Sequence, residues 1–398
     1  MTSNAVAPLS AGQERPDEPR AKRLPALDGV RGIAGAGIVV YHLRNSTPPG
    51  LGQAIMELFF ALSGYLITGV VLDLVDRPKR ARTVYARRAR RLLPALAVYL
   101  VAGIALAAIL GWGTEGSVLK MAIASALYLA NWWEAIRPGV DIRPFGGLWS
   151  LSIEEQFYFV WPLVCWTALR LRRRASSVGA VALLTALIAL LLRIRAVDAD
   201  WTLLRARSGL DTRVLALALG AAARVWLPPG RLTTWLATAT SAFGSALFIL
   251  AIASVRIYDV RTLATWWSLA AAGAVLLVAG AASGGLVAWL LALPPLTFIG
   301  RISYSLYLWH PAVIAAAEPH VLGLSPSARH VVLGGASVVV ATASYRFIEQ
   351  PFQRRRTRVG QPRPDAPHHL LGRRHPRRGR RRAMPQADGS PRVARPVP

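Results

Sequence analysis

Long apolar runs recur along the whole chain, and they constrain its fold more than any other feature. A helix that crosses the hydrocarbon layer needs about 20 mostly apolar residues, because that layer is about 30 Å thick. Several runs reach this length, and 54% of the 398 residues are hydrophobic against 17% charged. One soluble core would not bury this much apolar surface. The sequence therefore predicts an all-α fold, a bundle of about ten transmembrane helices in a lipid bilayer.

The apolar periodicity sets the boundaries of the predicted spans. They cover residues 29–45, 55–72, 92–110, 150–169, 176–193, 211–227, 233–254, 262–281, 297–317 and 330–348. The apolar segment 121–133 is too short to cross. We predict that it lies at the outer interface, a layer that suits the rings of Trp132 and Trp133.

The formal charge of +27 does not indicate a nucleic-acid binder, because the basic residues stand between apolar runs and near the carboxyl end rather than on one folded face. Loop 73–91 carries eight Lys or Arg residues, and four Arg residues follow the fourth span at 170–174. Both loops are cytoplasmic under the positive-inside rule. We therefore predict a multi-pass protein of the cell membrane with both termini in the cytoplasm.

Composition divides the chain into three regions. Residues 1–23 and 354–398 are polar, basic and rich in Pro, so we expect disordered cytoplasmic segments on either side of a membrane domain at 24–353. One loop of that domain does not fit the predicted topology, because 193–213 is rich in Arg but lies on the predicted outer side. Either it binds an anionic group or the predicted boundaries are wrong; its basic residues are Arg193, Arg195, Arg205, Arg207 and Arg213.

The first span contains ionisable residues, which cost about 2.5–3.5 kcal/mol each at membrane depth and are therefore candidate functional residues. Arg31 and His42 are eleven positions apart, so they share one helix face about 16 Å apart. Asp28 can pair with Arg31 from the preceding turn. An imidazole exchanges protons near neutral pH, so we predict that His42 is a general base for a hydroxyl acceptor. A purely structural histidine is the alternative.

Two further blocks follow the first span along the chain, one inside the second span and one on the predicted cytoplasmic side of the third. In FFALSGYLIT, residues 59–68, Ser63 can bond a substrate or its own backbone, and we favour the backbone. In YARRARRLLP, three arginines precede the third span: Arg87, Arg88 and Arg91. Guanidinium groups match phosphate oxygens in pairs, so these residues predict a site for a phosphorylated donor such as coenzyme A. A run of positive charge is also a simple topology signal.

The block WSLSIEEQFYFVWP opens the fourth span. Ser150 or Ser152 is expected to cap the helix, with Glu154 and Glu155 in its first turn. Capping does not account for both carboxylates. We predict that one of them orients His42 and stabilises its protonated form.

Six blocks occur in an order that resembles the acyltransferase-3 family of integral membrane O-acyltransferases. They are LDGVRGIAGAGIVVYH, FFALSGYLIT, YARRARRLLP, WSLSIEEQFYFVWP and IGRISYSLYLWHP, the last followed by SYRFIEQPF. The resemblance covers roughly residues 24–353. It implies an enzyme that moves an acyl group, usually acetyl, from cytoplasmic acyl-CoA to a hydroxyl of a carbohydrate, glycolipid or secondary metabolite. Acyl-CoA is then a co-substrate, with no tightly bound cofactor and no metal site expected.

The resemblance also implies roles for individual residues. The family's Arg-x10-His motif falls on the first span and its Arg-Arg-x-x-Arg motif on the segment before the third. Its Ser-x-x-Glu-Glu block falls on the fourth span, where Ser152 lies only two residues before Glu154. The predicted catalytic residues are His42, Arg31, Glu154 and Glu155. The predicted donor-binding residues are Arg87, Arg88, Arg91, Asp28 and Ser63. The predicted acceptor-binding residues are Ser152, Trp149, Tyr304 and His310.

A transporter or flippase of a glycolipid or small molecule is the rival interpretation, since polar residues in a many-span bundle also suit a translocation path. Inverted repeats or paired broken helices would favour it, and the sequence contains neither. Within the enzymatic interpretation, direct transfer and a covalent acyl intermediate on His42 or Ser63 are both open.

Overall fold

The computed structural model of the chain describes residues 24–43, 50–74, 81–137, 139–172, 174–255 and 259–354. Regular secondary structure within these ranges is helical. The disorder predicted for 1–23 and for 355–398 falls outside the described residues. In chain order the α-helices are α1 Pro25–Leu43, α2 Leu51–Leu74, α3 Ala81–Leu110, α4 Glu115–Ala126, α5 Ala130–Ile136, α6 Leu148–Arg172, α7 Ala175–Asp198, α8 Leu203–Ser208, α9 Leu210–Trp226, α10 Thr234–Ser254, α11 Val260–Ala264, α12 Trp266–Ser283, α13 Gly285–Leu291, α14 Pro294–Ala317, α15 Pro326–Ser344 and α16 Gln350–Arg354.

Each of the ten predicted spans overlaps one long helix: α1, α2, α3, α6, α7, α9, α10, α12, α14 or α15. By length and composition, six helices in the described ranges could cross a membrane, and the pair α13 and α14, bent by 65°, would make a seventh. This is fewer than the ten predicted. The polar residues of the predicted site lower the hydropathy of α1 and α6, and α9 has only 17 residues. The polytopic helical bundle itself is confirmed.

Glycines bring the central helices into backbone contact. A Cβ atom at Gly32 of α1 would overlap the carbonyl oxygen of Leu296 on α14, and one at Gly300 would overlap that of Asp28. Small residues allow this approach, which matters in lipid because burial from water does not drive helices together there. The contact sets α1 and α14 side by side, so polar residues of both helices face the same space.

Four of the five arginines of the predicted outer loop 193–213 form ion pairs within the described part of the chain. Helix α7 continues to Asp198 and α9 begins at Leu210, so Arg193 and Arg213 lie within helices and are fully buried. Their guanidinium nitrogens lie 2.8 and 3.0 Å from Oε1 of Glu57 on α2. The predicted boundary at 193 was therefore wrong, and the anionic group that these two arginines bind is a carboxylate of the protein itself.

Candidate active site

Two cavities adjoin near the centre of the bundle. The arginine cavity has a volume of about 300 Å³, and its polar lining includes Arg31, Ser63, Arg87, Arg88, Arg91, Glu154 and Tyr304. The histidine cavity has a volume of about 550 Å³, and its polar lining includes His42, Gln53, Asp141, Arg143, Trp149, Arg207 and His310. Met56 of α2 and Tyr307 of α14 line both. The two cavities therefore share a wall made by these two side chains.

The arginine cavity brings together the arginines that the sequence assigned to the donor. Arg88 is held in place, because its Nη2 donates to Oε1 of Glu155 at 2.5 Å. Its guanidinium carbon also lies 3.4 Å from the centre of the Tyr158 ring. The predicted pairing of Arg31 with Asp28 is present, with 3.7 Å between Nη1 and Oδ1. Four guanidinium groups therefore line one partly enclosed cavity, an arrangement that suits phosphate oxygens.

Ser63 and Glu154 face this cavity as a pair, since the Ser63 hydroxyl donates to Oε1 of Glu154 at 2.6 Å. The preference for a bond from Ser63 to its own backbone was therefore wrong. Tyr304 also lines this cavity, and its hydroxyl donates to the carbonyl oxygen of Leu92 on α3 at 3.0 Å. Tyr304 therefore lies with the predicted donor-binding arginines and not at the histidine cavity, and its predicted role in acceptor binding stays a prediction.

The predicted contact between an α6 carboxylate and His42 was wrong. Glu154 is bonded to Ser63 and Glu155 to Arg88. The cause lies at the beginning of α6. A 3-10 turn at Phe145–Gly147 leads directly into Leu148, so both glutamates occupy the second helical turn rather than the first. They are therefore directed toward α2 and α3 instead of toward the histidine.

The predicted capping by Ser150 or Ser152 was wrong for the same reason, since both lie inside the helix. The Ser150 hydroxyl shares a hydrogen bond of 2.6 Å with that of Tyr307, and it lines the arginine cavity. Ser152 is buried, donates to the carbonyl oxygen of Leu148 at 3.0 Å and accepts from the Ala130 amide at 3.2 Å. Both bonds are structural, so Ser152 is removed from the predicted acceptor-binding residues.

His42 and His310 meet at the histidine cavity. Nδ1 of His42 lies 3.3 Å from Nε2 of His310, and the ring centres are 5.0 Å apart. Each Nδ1 also lies 2.9 Å from a backbone carbonyl oxygen one turn earlier, that of Ile38 or Leu306. His310 is 1% exposed, whereas His42 is open to the cavity. A solvent-accessible imidazole backed by a buried one suits proton exchange with a bound hydroxyl.

Other residues of the histidine cavity were missed by the sequence analysis. Asp141 and Arg143 form an ion pair at the rim, with 2.8 Å between Oδ2 and Nη2. Hydrogen bonds from the Arg143 guanidinium, together with its charge, lower the pKa of Asp141 to about 2. Arg207 of α8 also lines the cavity and pairs with Glu134 of α5. The spacing of these residues in the sequence does not predict that they lie together, because they come from three separate segments.

The comparison with protein families agrees with this geometry. A family model described as an acyltransferase domain, that of the acyltransferase-3 family, matches residues 24–346. The chain belongs to the acyltransferase-3 family. The matched segment contains α1 to α15, and so every residue of the two cavities.

Named relatives of this acyltransferase-3 domain are bacterial O-acetyltransferases. The O-acetyltransferase OatA of Staphylococcus aureus (strain NCTC 8325 / PS 47) is 30% identical over 353 residues, which are 83% of this chain and 57% of OatA. YrhL of Bacillus subtilis (strain 168), provisionally named a peptidoglycan O-acetyltransferase, is 31% identical over 352 residues, or 83% of this chain and 55% of YrhL. The chain thus spans little more than half the length of these relatives. No solved structure matches it.

Proposed function

We propose that this acyltransferase-3 protein moves an acetyl group from cytoplasmic acetyl-CoA to a hydroxyl group of a carbohydrate, glycolipid or secondary metabolite. One observation carries the proposal. Met56 and Tyr307 line both cavities, so an anion-binding cluster and an imidazole base lie on the two sides of a single boundary. A reaction between a phosphorylated donor and a hydroxyl acceptor needs these two environments in contact.

The donor would bind with its phosphates at Arg87, Arg88 and Arg91, which line the arginine cavity. Its pantetheine arm would then extend past Arg31 toward the shared wall. Along α1 the distance from Arg31 to His42 is about 16 Å, from eleven positions at about 1.5 Å each. An extended pantetheine arm covers such a distance, so the thioester would reach His42 from phosphates held beside Arg31, which lines the same cavity as the other three arginines.

The acceptor would occupy the histidine cavity with one hydroxyl at Nε2 of His42. His42 takes the hydroxyl proton while the oxygen attacks the thioester carbonyl carbon. The tetrahedral intermediate then collapses with cleavage of the carbon–sulfur bond, and the imidazolium returns its proton to the leaving thiolate. The products are an O-acetyl ester and free coenzyme A. The name of YrhL makes a peptidoglycan hydroxyl the first acceptor to test.

The test uses the full chain in proteoliposomes with radiolabelled acetyl-CoA and muropeptides as the acceptor probe. His42→Gln is compared with His330→Gln, a histidine on α15 that lies outside both cavities. We expect ester formation by the wild type and the His330 variant, and a loss of at least about 100-fold in the His42 variant.

Two outcomes would contradict the proposal. Ester formation at the wild-type rate by His42→Gln would remove that residue from the reaction. Passage of glycolipid or small-molecule cargo across the vesicle membrane without ester formation, in the wild type and in His42→Gln alike, would favour a transporter. Glycolipid and metabolite acceptors are tested in parallel. A negative result with muropeptides alone excludes the peptidoglycan hydroxyl as the acceptor, and the other two acceptor classes then test the transfer reaction.

A further inference from the structure

Backbone carbonyl contacts indicate which nitrogen carries the hydrogen in the neutral rings of His42 and His310. The carbonyl oxygens of Ile38 and Leu306 can only accept hydrogen bonds, and each lies 2.9 Å from an Nδ1 atom. Both Nδ1 atoms therefore carry hydrogen in the neutral rings. Nε2 of His310 is then unprotonated, and it lies 3.3 Å from the Nδ1–H of His42. It can share that hydrogen with the Ile38 carbonyl.

We propose that His310 is a positioning residue for His42, which it holds in the tautomer whose Nε2 is unprotonated and open to the acceptor. This inference rests on the proposed function. When Nε2 of His42 takes the acceptor's proton, the ring becomes an imidazolium and its Nδ1–H becomes a stronger donor. Nε2 of His310 accepts this hydrogen bond, so the second ring stabilises the charge without gaining a proton itself.

The burial of His310 supports this role over simple packing. The ring is 1% exposed on a helix of the bundle, where an unpartnered polar group is costly and a leucine would fill the space without polar atoms. Among the described residues, the hydrogen-bond partner of its Nε2 is His42. Nε2 of His310 is therefore a buried polar atom whose hydrogen-bond partner within the described ranges is the proposed base, His42.

Other titratable or charged groups near the two rings are occupied elsewhere or lie farther away. Tyr41 of α1 lies edge-on to His42, with 5.1 Å between ring centres, and Tyr307 lies 6.2 Å from His310. On the loop before α6, Asp141 and Arg143 bond to each other, and Arg207 of α8 pairs with Glu134. On α2 the facing polar residue is the uncharged Gln53. Among the described titratable groups, His310 is thus the one placed to act on Nδ1 of His42, beside the backbone carbonyl of Ile38.

The test compares His310→Leu, which removes the acceptor, with His310→Gln, whose amide oxygen can occupy the place of Nε2. His330→Leu controls for loss of a histidine in the bundle. Size-exclusion chromatography in detergent confirms that each variant is folded. Steady-state transfer is then measured in proteoliposomes across the pH range, with acetyl-CoA as the donor and with the acceptor that the wild type esterifies.

We expect His310→Leu to lower kcat at least about tenfold, with KM for acetyl-CoA within about twofold of the wild-type value. The acid limb of its kcat profile moves to lower pH, because the imidazolium of His42 has lost a hydrogen-bond acceptor. His310→Gln recovers most of the rate, and His330→Leu keeps it. A wild-type kcat and pH profile in His310→Leu would overturn the inference, as would a His310→Gln variant that is folded but no more active than His310→Leu. Either result, obtained while His42→Gln is inactive, leaves the proposed function standing, whereas activity in His42→Gln overturns both.

Discussion

Met56 of α2 and Tyr307 of α14 both line the arginine cavity and the histidine cavity, and their side chains form the boundary between the two. The phenol hydroxyl of Tyr307 is fixed by Ser150 and by the carbonyl oxygen of Gly147. The Met56 side chain has three rotatable bonds and no hydrogen bond among the described residues, so it can move aside more easily than Tyr307. Passage of a thioester between the cavities would therefore depend on the Met56 side chain.

Met56→Trp should block transfer without abolishing donor binding. The indole would fill the boundary, while the arginines proposed to bind the phosphates keep their positions. We expect transfer to fall by at least about tenfold, with the dissociation constant for acetyl-CoA unchanged within about threefold. Titration calorimetry measures the binding, and ester formation measures the transfer. Met56→Leu is the matched control, because it nearly conserves volume. Wild-type transfer by Met56→Trp would show that the acyl group takes another path.

Arg88→Met should weaken donor binding more than it lowers the turnover rate. Arg88 lines the arginine cavity and is oriented by Glu155 and Tyr158. Loss of a charge-assisted hydrogen bond costs about 1.5–3 kcal/mol, so KM for acetyl-CoA should rise about tenfold or more. Arg90→Met on the same helix is the control, since the Arg90 guanidinium bonds to the carbonyl oxygen of Ala86 and lies outside the cavity lining. An equal rise in KM for both variants would mean that donor binding depends on the total positive charge of α3 and not on the position of Arg88.

The positions of the long helices could be predicted because a helix that crosses lipid needs a long, mostly apolar run. The arginines near the beginning of α3 could be predicted as a cluster because they are close in sequence. The beginning of α6 could not. Ser150 and Ser152 are good capping residues, yet the chain begins the helix at Leu148 and directs Glu154 to Ser63. That bond joins positions 91 residues apart. Local patterns contain no information on such a partner.

Glu57 illustrates the same limit, and its removal should destabilise the protein. Its partners Arg193 and Arg213 lie 136 and 156 positions away, and all three side chains are fully buried. Glu57→Gln would leave two buried guanidinium groups without the opposing charge, a change that typically costs about 3–5 kcal/mol. We expect a clear fall in the apparent Tm in detergent. Glu318→Gln, at an exposed position, is the control and should leave Tm unchanged. An unchanged Tm in Glu57→Gln would show that the cluster contributes nothing to stability.

Asp141 should not contribute to the pH dependence of transfer in the usual assay range. Hydrogen bonds from Arg143 lower its pKa from 3.8 to about 2, so the carboxylate stays ionised in the folded protein. Because this folded-state pKa lies below the ordinary value, the stabilisation by the pair is complete above about pH 4 and is lost as the pH falls toward 2. We expect Asp141→Asn to alter KM for the acceptor while the inflection of the kcat profile stays in place between about pH 5 and 9. A profile of kcat against pH for both proteins checks this. A shifted inflection in the variant would contradict this expectation, because it would mean that the charge of Asp141 acts on the proton exchange of His42.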